Sequence, residues 1–424
     1  MTSVRARTAI GLVWGFIAVG VATTQTVSEG QRGLANPTGP FGLGKVTLLC
    51  VDNSRIEPLD SNHGARRIIV DVWYPADPTA AGESNRAEYL AVEAIERVIG
   101  PEGLKKQLGS AYDTVKAGVV THAMIRAPFA RSVRNSPVLI FSPGGGMVRE
   151  LYTSQLEDLA SHGYVVAALT HTYDGFLTVF PDGSHVAYDG RRWPKPPSVE
   201  GEANLNQLEW HADDICFVLD ELSRVPQTTP FAGRLNLSRV GALGHSFGGL
   251  AAAHACQKDR RIKACLNQDG AVATQPYFLD PRGWGMDQPF MLIERAFRME
   301  PPSDQELAAM KLTRERMNEI RKRLDSRRDL ALRATGSGTY RVVLRRNGTS
   351  HMDFSDLKVL GAATRGEREV GERVLAAVTE YTRAFFDRHL KEVKSSLLES
   401  NPSGLVDEVQ RFGPAKRKKM GLPR

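Results

Sequence analysis

Ser246 stands between glycines in the stretch GALGHSFGGLAAAHA, residues 241–255. The spacing Gly244-x-Ser246-x-Gly248 suits a hydroxyl nucleophile raised on a sharp turn from strand to helix. The glycines let strand and helix approach without side-chain collision, and the helix N-terminus behind the serine favours developing negative charge. Such a pentapeptide also arises by chance, in which case the serine is only a polar residue in a turn. Its flanks favour the nucleophile, because RVGAL reads as a strand and GLAAAHA as a helix.

A hydroxyl is a poor nucleophile at neutral pH and needs a base held by a third group. On a strand–turn–helix scaffold the expected chain order is serine, acid, histidine. Two histidines follow the nucleophile helix, His351 and His389. His389, in FFDRHLKEV, reads as a surface residue of an amphipathic helix, whereas His351, in NGTSHMDFSD, follows the last strand and is the expected base. For the acid, Asp269 after KACLNQ is preferred on position over Glu294, which follows the next strand. Arg295 makes Glu294 equally readable as an arginine-paired structural carboxylate. An oxyanion site needs backbone amides, expected from Phe247 and from FSPGGGM, where Gly144, Gly145 and Gly146 leave them unobstructed.

Other polar residues carry weaker expectations. His171 and Asp174, in THTYDGF, are expected to border the pocket as substrate-binding residues, with loop structure the equal alternative. His245 is expected to pack beside the nucleophile. His211 and Asp214, in WHADD, read as a polar pair on a helix face, so neither a metal nor a cofactor is expected. The glycosylation sequons at Asn236 and Asn347 are of a kind frequent by chance, and a glycan on Asn347 would crowd His351.

These residues must be held by a sheet. Apolar runs at 45–51, 67–74, 137–142, 164–169, 239–244, 262–267, 289–295 and 340–345 read as eight strands, mostly parallel and covered on both faces by helices. The first two alternate and suit an antiparallel pair. Helices are expected at 150–161, 203–224, 247–257 and 368–395, with helical inserts at 77–135 and 300–335. In the first insert residues 87–99 are amphipathic. In the second, Ser303 and Glu306 form a capping box, and Met317, Ile320 and Leu324 share a face.

The net charge of +7 lies wholly in Arg5, Arg7, Lys416, Arg417, Lys418, Lys419 and Arg424. The body is therefore formally neutral, and no nucleic-acid partner is expected. Residues 401–424 read as a basic, disordered tail, either solvated or in peripheral contact with a membrane. Residues 8–24 are apolar and uncharged behind two arginines, so residues 1–22 read as an export signal, or as an N-terminal anchor. A secreted or periplasmic body follows. Cys50, Cys216, Cys256 and Cys265 allow three disulfide pairings that the sequence does not choose among, and free buried thiols are the expectation.

Taken together, GPFGLGKVTL, VDVWYPADP, the segment around 138–171, GHSFGG, LNQDG and SHMDFSD resemble the platelet-activating factor acetylhydrolase family from about Gly39 to His389, within a hydrolase domain expected over 39–395. The resemblance implies an α/β-hydrolase fold, with Ser246 as nucleophile, His351 as base and Asp269 as acid. It implies oxyanion donors at Gly145 and Phe247, although Pro143-Gly144 replaces the histidine-glycine pair often found in that loop. The implied partner is a small-molecule or lipid ester, and the implied reaction removes a short acyl group from a phospholipid-like ester. The competing expectations are a broad esterase or polyester hydrolase of the same fold, and a catalytically silent lipid-binding relative.

Overall fold

The computed structural model describes residues 33–77, 86–190, 205–272, 285–296, 303–309, 312–335, 338–345, 349–399 and 404–413. The apolar N-terminal segment, the Asn347 sequon and the basic residues beyond 413 lie outside the described residues.

The strands in chain order begin with β1 (Gly42–Ile56), β2 (Ala65–Ala76), β3 (Met124–Ile125), β4 (Ser136–Ser142), β5 (Val165–Thr170), β6 (Leu177–Val179) and β7 (His185–Ala187). They continue with β8 (Leu235–His245), β9 (Ile262–Gln268), β10 (Phe290–Arg295), β11 (Thr339–Leu344) and β12 (Val406–Phe412). Ten of them form one sheet in the order β12-β11-β10-β9-β8-β4-β5-β2-β1-β3. All eight expected strands are present, and β1 pairs antiparallel with β2 as their alternation predicts. From β5 through β11 the ladder is parallel.

The longer helices are α1 (Val92–Leu108), α2 (Thr153–Ser161), α3 (Leu205–Leu222), α4 (Phe247–Lys258), α5 (Arg314–Ala334) and α6 (Arg365–Leu390). Strand β4 explains the layering: every residue in it is buried, so it needs cover on both sides. Val138 and Ile140 pack with residues of α3 and α4, whereas Leu139 and Phe141 pack with residues of α2 and α6. The period-two alternation of one strand thus divides the core into two layers.

Four expectations need correction. The sheet has ten strands rather than eight, because β3 and β12 add to its edges. β12 lies in the stretch read as disordered tail; it pairs antiparallel with β11 from Thr339↔Phe412 to Leu344↔Val406. The second insert is two helices, a short one at Asp304–Ala309 and α5, whose N-terminus is capped where Thr313 accepts from the Arg316 amide at 3.1 Å. The Glu306 side chain of the expected capping box lies outside the described residues. Finally, Cys256 on α4 and Cys265 on β9 form a disulfide with their Cα atoms 6.4 Å apart, while Cys50 and Cys216 are free. Among the described residues, no helix is long and apolar enough to cross a membrane.

Candidate active site

Three neighbouring strands of the parallel ladder end in the residues that matter. Ser246 follows β8 with φ 54° and ψ −122°, a conformation costly for a side-chain-bearing residue. Its amide donates to Gln268 O at 2.7 Å, at the end of β9. Asp269 follows β9, also at positive φ (55°), and its amide donates to Ile293 O at 2.7 Å on β10. Each strand end is thus fixed to the next. Gly270 completes the corner, because a Cβ there would lie 2.3 Å from Ser246 O.

His351 follows β11, the parallel neighbour of β10. It opens a short 3-10 turn, His351–Phe354, held by a reciprocal cap between Ser350 and Asp353. The Ser350 amide donates to Asp353 Oδ2 at 2.8 Å and the Ser350 hydroxyl to Oδ1 at 2.5 Å. The imidazole then bridges the other two residues, with Nε2 2.9 Å from Ser246 Oγ and Nδ1 2.6 Å from Asp269 Oδ2. Asp269 is acceptor-only when ionised, so Nδ1 carries the proton and Nε2 is left to accept from the serine. Asp269 is buried, while the His351 side chain is 32% exposed and open to a ligand from outside.

The alternative acid is elsewhere. Glu294 and Arg295 are consecutive at the end of β10 and point to opposite faces, as strand geometry requires. Glu294 pairs with Arg341 at 2.6 Å and with Arg328 at 3.3 Å. Arg295 instead donates from Nε to Asp269 Oδ2 at 2.8 Å.

The loop after β4 passes over the start of α4. Gly248 explains how closely: a Cβ there would lie 2.2 Å from both Ser142 O and Pro143 O. In this loop the Gly144 amide donates to Tyr152 Oη at 3.0 Å, that of Gly146 to Asp174 O at 3.0 Å and that of Met147 to Gly144 O at 2.9 Å. Of the three glycine amides, that of Gly145 alone has no acceptor among the described residues. Gly145 faces Phe247, since a Cβ built on it would sit 3.7 Å from Phe247 Cβ. Phe247 is the first residue of α4, where a backbone N–H has no partner within the helix. These two amides thus belong to facing residues, one of them next in the chain to Ser246.

Other residues singled out from the sequence lie behind this surface. His171 and Asp174, expected at the pocket, are buried, with polar atoms turned inward. His171 bonds Asp214 at 2.8 Å and Ser142 at 2.9 Å, and Asp174 accepts from Gln207 at 2.9 Å. They belong to the scaffold and not to a ligand surface. His211 and Asp214 do not pair on the helix face as expected: His211 reaches Asp174 at 3.2 Å, and Asp214 receives Arg66. No cluster of side chains able to hold a metal occurs among the described residues.

His245 packs beside Ser246 as expected. It is fully buried, its Nδ1 lies 2.9 Å from Tyr152 Oη, and burial holds its pKa well below the ordinary value. The surface reading of His389 is corrected, because its ring packs on Phe385 at 4.8 Å, and burial lowers its pKa to about 4.

In SHMDFSD, Phe354 stacks on His245 at 5.5 Å and Asp356 accepts from the Ser154 amide at 3.3 Å. Sequence reasoning gave Arg295 to Glu294 rather than to Asp269, and it missed Tyr152 and the Ser350–Asp353 cap. Only the last had a local signal, the spacing Ser-x-x-Asp just before the 3-10 turn.

The parallel ladder, the serine on its central turn and the loop beside it define the α/β-hydrolase class. Over residues 26–193 the chain matches the family described as platelet-activating factor acetylhydrolase, isoform II. It is 35% identical over 136 residues to a probable 1-alkyl-2-acetylglycerophosphocholine esterase of Arthroderma benhamiae, covering 32% of each chain. It is 27% identical over 257 residues to the platelet-activating factor acetylhydrolase of Canis lupus familiaris, covering 54% of each. These matches span about half or less of the curated relatives. A solved ferulic acid esterase from Streptomyces cinnamoneus is similar throughout, with 29% identity, a TM-score of 0.66 and coverage of 90% of this chain and 99% of that one.

Proposed function

We propose that this chain is a serine carboxylic ester hydrolase working through an acyl-enzyme. The observation that carries the reading is His351, set between Ser246 Oγ at 2.9 Å and Asp269 Oδ2 at 2.6 Å. Ser246 attacks the ester carbonyl while His351 takes its proton, and Asp269 holds the ring and stabilises the imidazolium. The amides of Gly145 and Phe247 receive the oxyanion, each worth on the order of 3 kcal/mol in the transition state. His351 then protonates the departing alkoxide, and in the second half-reaction deprotonates the water that releases the acyl group.

The substrate follows from the similarity to the acetylhydrolases: a short acyl group on a phospholipid-like ester. The end-to-end likeness to a ferulic acid esterase favours a second reading, an ester with an aromatic acyl group. The Cys256–Cys265 disulfide supports a working site in an oxidising compartment, in line with an exported body.

The test is Ser246→Ala beside the intact enzyme. The variant is expected to lose p-nitrophenyl acetate hydrolysis and labelling by a fluorophosphonate while its melting temperature is unchanged. Turnover that persists in the variant refutes the nucleophile. Acetyl phospholipid and methyl ferulate, compared as substrates by kcat/KM, decide between the two acyl classes.

A further inference from the structure

A second serine–histidine–aspartate chain lies beneath the first. Ser142 ends β4, His171 follows β5 and Asp214 sits on α3. Ser142 Oγ is 2.9 Å from His171 Nε2, and His171 Nδ1 is 2.8 Å from Asp214 Oδ2. These distances nearly match those at Ser246, yet Ser142 and Asp214 are fully buried and no ester can reach them. Hydrogen-bond geometry alone does not make a nucleophile; access and an oxyanion site are also needed.

The proton positions can be derived. Asp214 receives Arg66 at 2.5 and 3.1 Å and Arg55 at 2.8 Å. Burial opposes its ionisation, but Arg66 overrides that and holds its pKa well below the usual carboxylate range. His171 therefore donates from Nδ1 to Asp214, and its Nε2 accepts the Ser142 hydroxyl proton. Burial and the neighbouring His211 lower the His171 pKa to about 4, so the ring is neutral near pH 7.

This buried chain reaches both expected oxyanion donors. Ser142 immediately precedes the loop that carries Gly145. Asp174, three residues after His171, accepts the Gly146 amide through its carbonyl at 3.0 Å, and the Phe176 amide donates to Gly146 O at 3.0 Å. On the other side, the His211 ring stacks on His171 at 3.6 Å with only 4° between the planes. The same His211 meets the Phe247 ring edge-on at 5.2 Å. The stacked rings thus join the loop that carries Gly145 to Phe247.

We infer that Ser142, His171, Asp214 and His211 are positioning residues that set the spacing between the Gly145 and Phe247 amides. The inference rests on the ester-hydrolase reading above. The two can fail separately.

The experiment compares the full-length enzyme with Ser142→Ala and His171→Asn. Active sites are counted by stoichiometric labelling with fluorophosphonate. Each variant is then assayed for p-nitrophenyl acetate turnover and for inhibition by a trifluoromethyl ketone, which mimics the tetrahedral oxyanion. Per labelled site, His171→Asn is expected to lose about 10- to 100-fold in kcat, with ketone affinity falling in parallel and KM changing by less than about threefold. Ser142→Ala should move in the same direction by a smaller factor. If His171→Asn yields no labelled protein, Ser142→Ala decides the matter, because it deletes one buried hydroxyl. Unchanged kcat and ketone affinity per labelled site in the variants would overturn the inference. Wild-type enzyme that does not label at all would instead overturn the hydrolase reading.

Discussion

Asp269 Oδ2 accepts from two donors at once, His351 Nδ1 at 2.6 Å and Arg295 Nε at 2.8 Å. The two donors together fix the carboxylate. The His245 ring lies 4.5 Å from that of His351, and burial holds its pKa well below the ordinary value. Arg295→Gln keeps a donor but removes the charge. Its kcat is expected to fall by about tenfold with KM little changed, because Asp269 loses a charged contact that fixes it against the imidazole. An unchanged kcat would mean Arg295 only braces the loop. At this scale the sequence was unevenly legible. Ser246 and the glycines after β4 announce themselves because their constraint is local and steric. The choice between Asp269 and Glu294 depends on which face each strand end presents, and the register of β9 against β10 determines that.

Helix α4 and strand β9 show what a disulfide does between elements. Cys256 and Cys265 are nine positions apart, and their bond ties the far end of α4 to the strand that precedes Asp269. Closing so short a loop is worth about 3 kcal/mol through the unfolded chain. Replacing both cysteines with serine should lower the unfolding free energy by about that amount in a urea titration. kcat at 25 °C should change little, because Ser246 and Phe247 lie at the opposite end of the helix. A drop in kcat per labelled site would show that the bond also shapes the site. The pairing was not readable beforehand, since four cysteines fit three patterns until helix and strand are docked. β12 was missed for a related reason. Its apolar residues Val406, Val409 and Phe412 recur every third position, so the alternation that marks β1 and β2 is absent.

For the whole molecule, acidification should be the weak direction. His171 and His389 each have a folded-state pKa of about 4, against an ordinary value near 6.5. Between those values the unfolded chain binds protons that the native state refuses, so stability falls as pH drops from 6.5 to 4 and levels off below. Each is worth on the order of 3 kcal/mol. Asp356 works the other way: burial raises its pKa to about 7, so its contribution is present below the ordinary carboxylate value and is lost as pH rises through 7. Two histidines outweigh one aspartate, and denaturation midpoints measured from pH 7 to pH 4 should decline. His389→Gln should flatten that decline, and a slope unchanged by the substitution would remove His389 from the account. None of these burials could be read from residue type; FFDRHLKEV looks amphipathic, and only the packing of α6 on β11 turns His389 inward.

β12 also orders how the fold can be completed. It pairs with β11 but follows the whole of α6, so a chain emerging from the ribosome exposes β11 as an open template until Phe412 is out. Throughout that interval the N–H and C=O groups of Tyr340 to Leu344 can recruit a strand from a neighbouring nascent chain. Until β12 emerges, the chain is therefore open to mispairing along β11, with the outer rail of the sheet still missing.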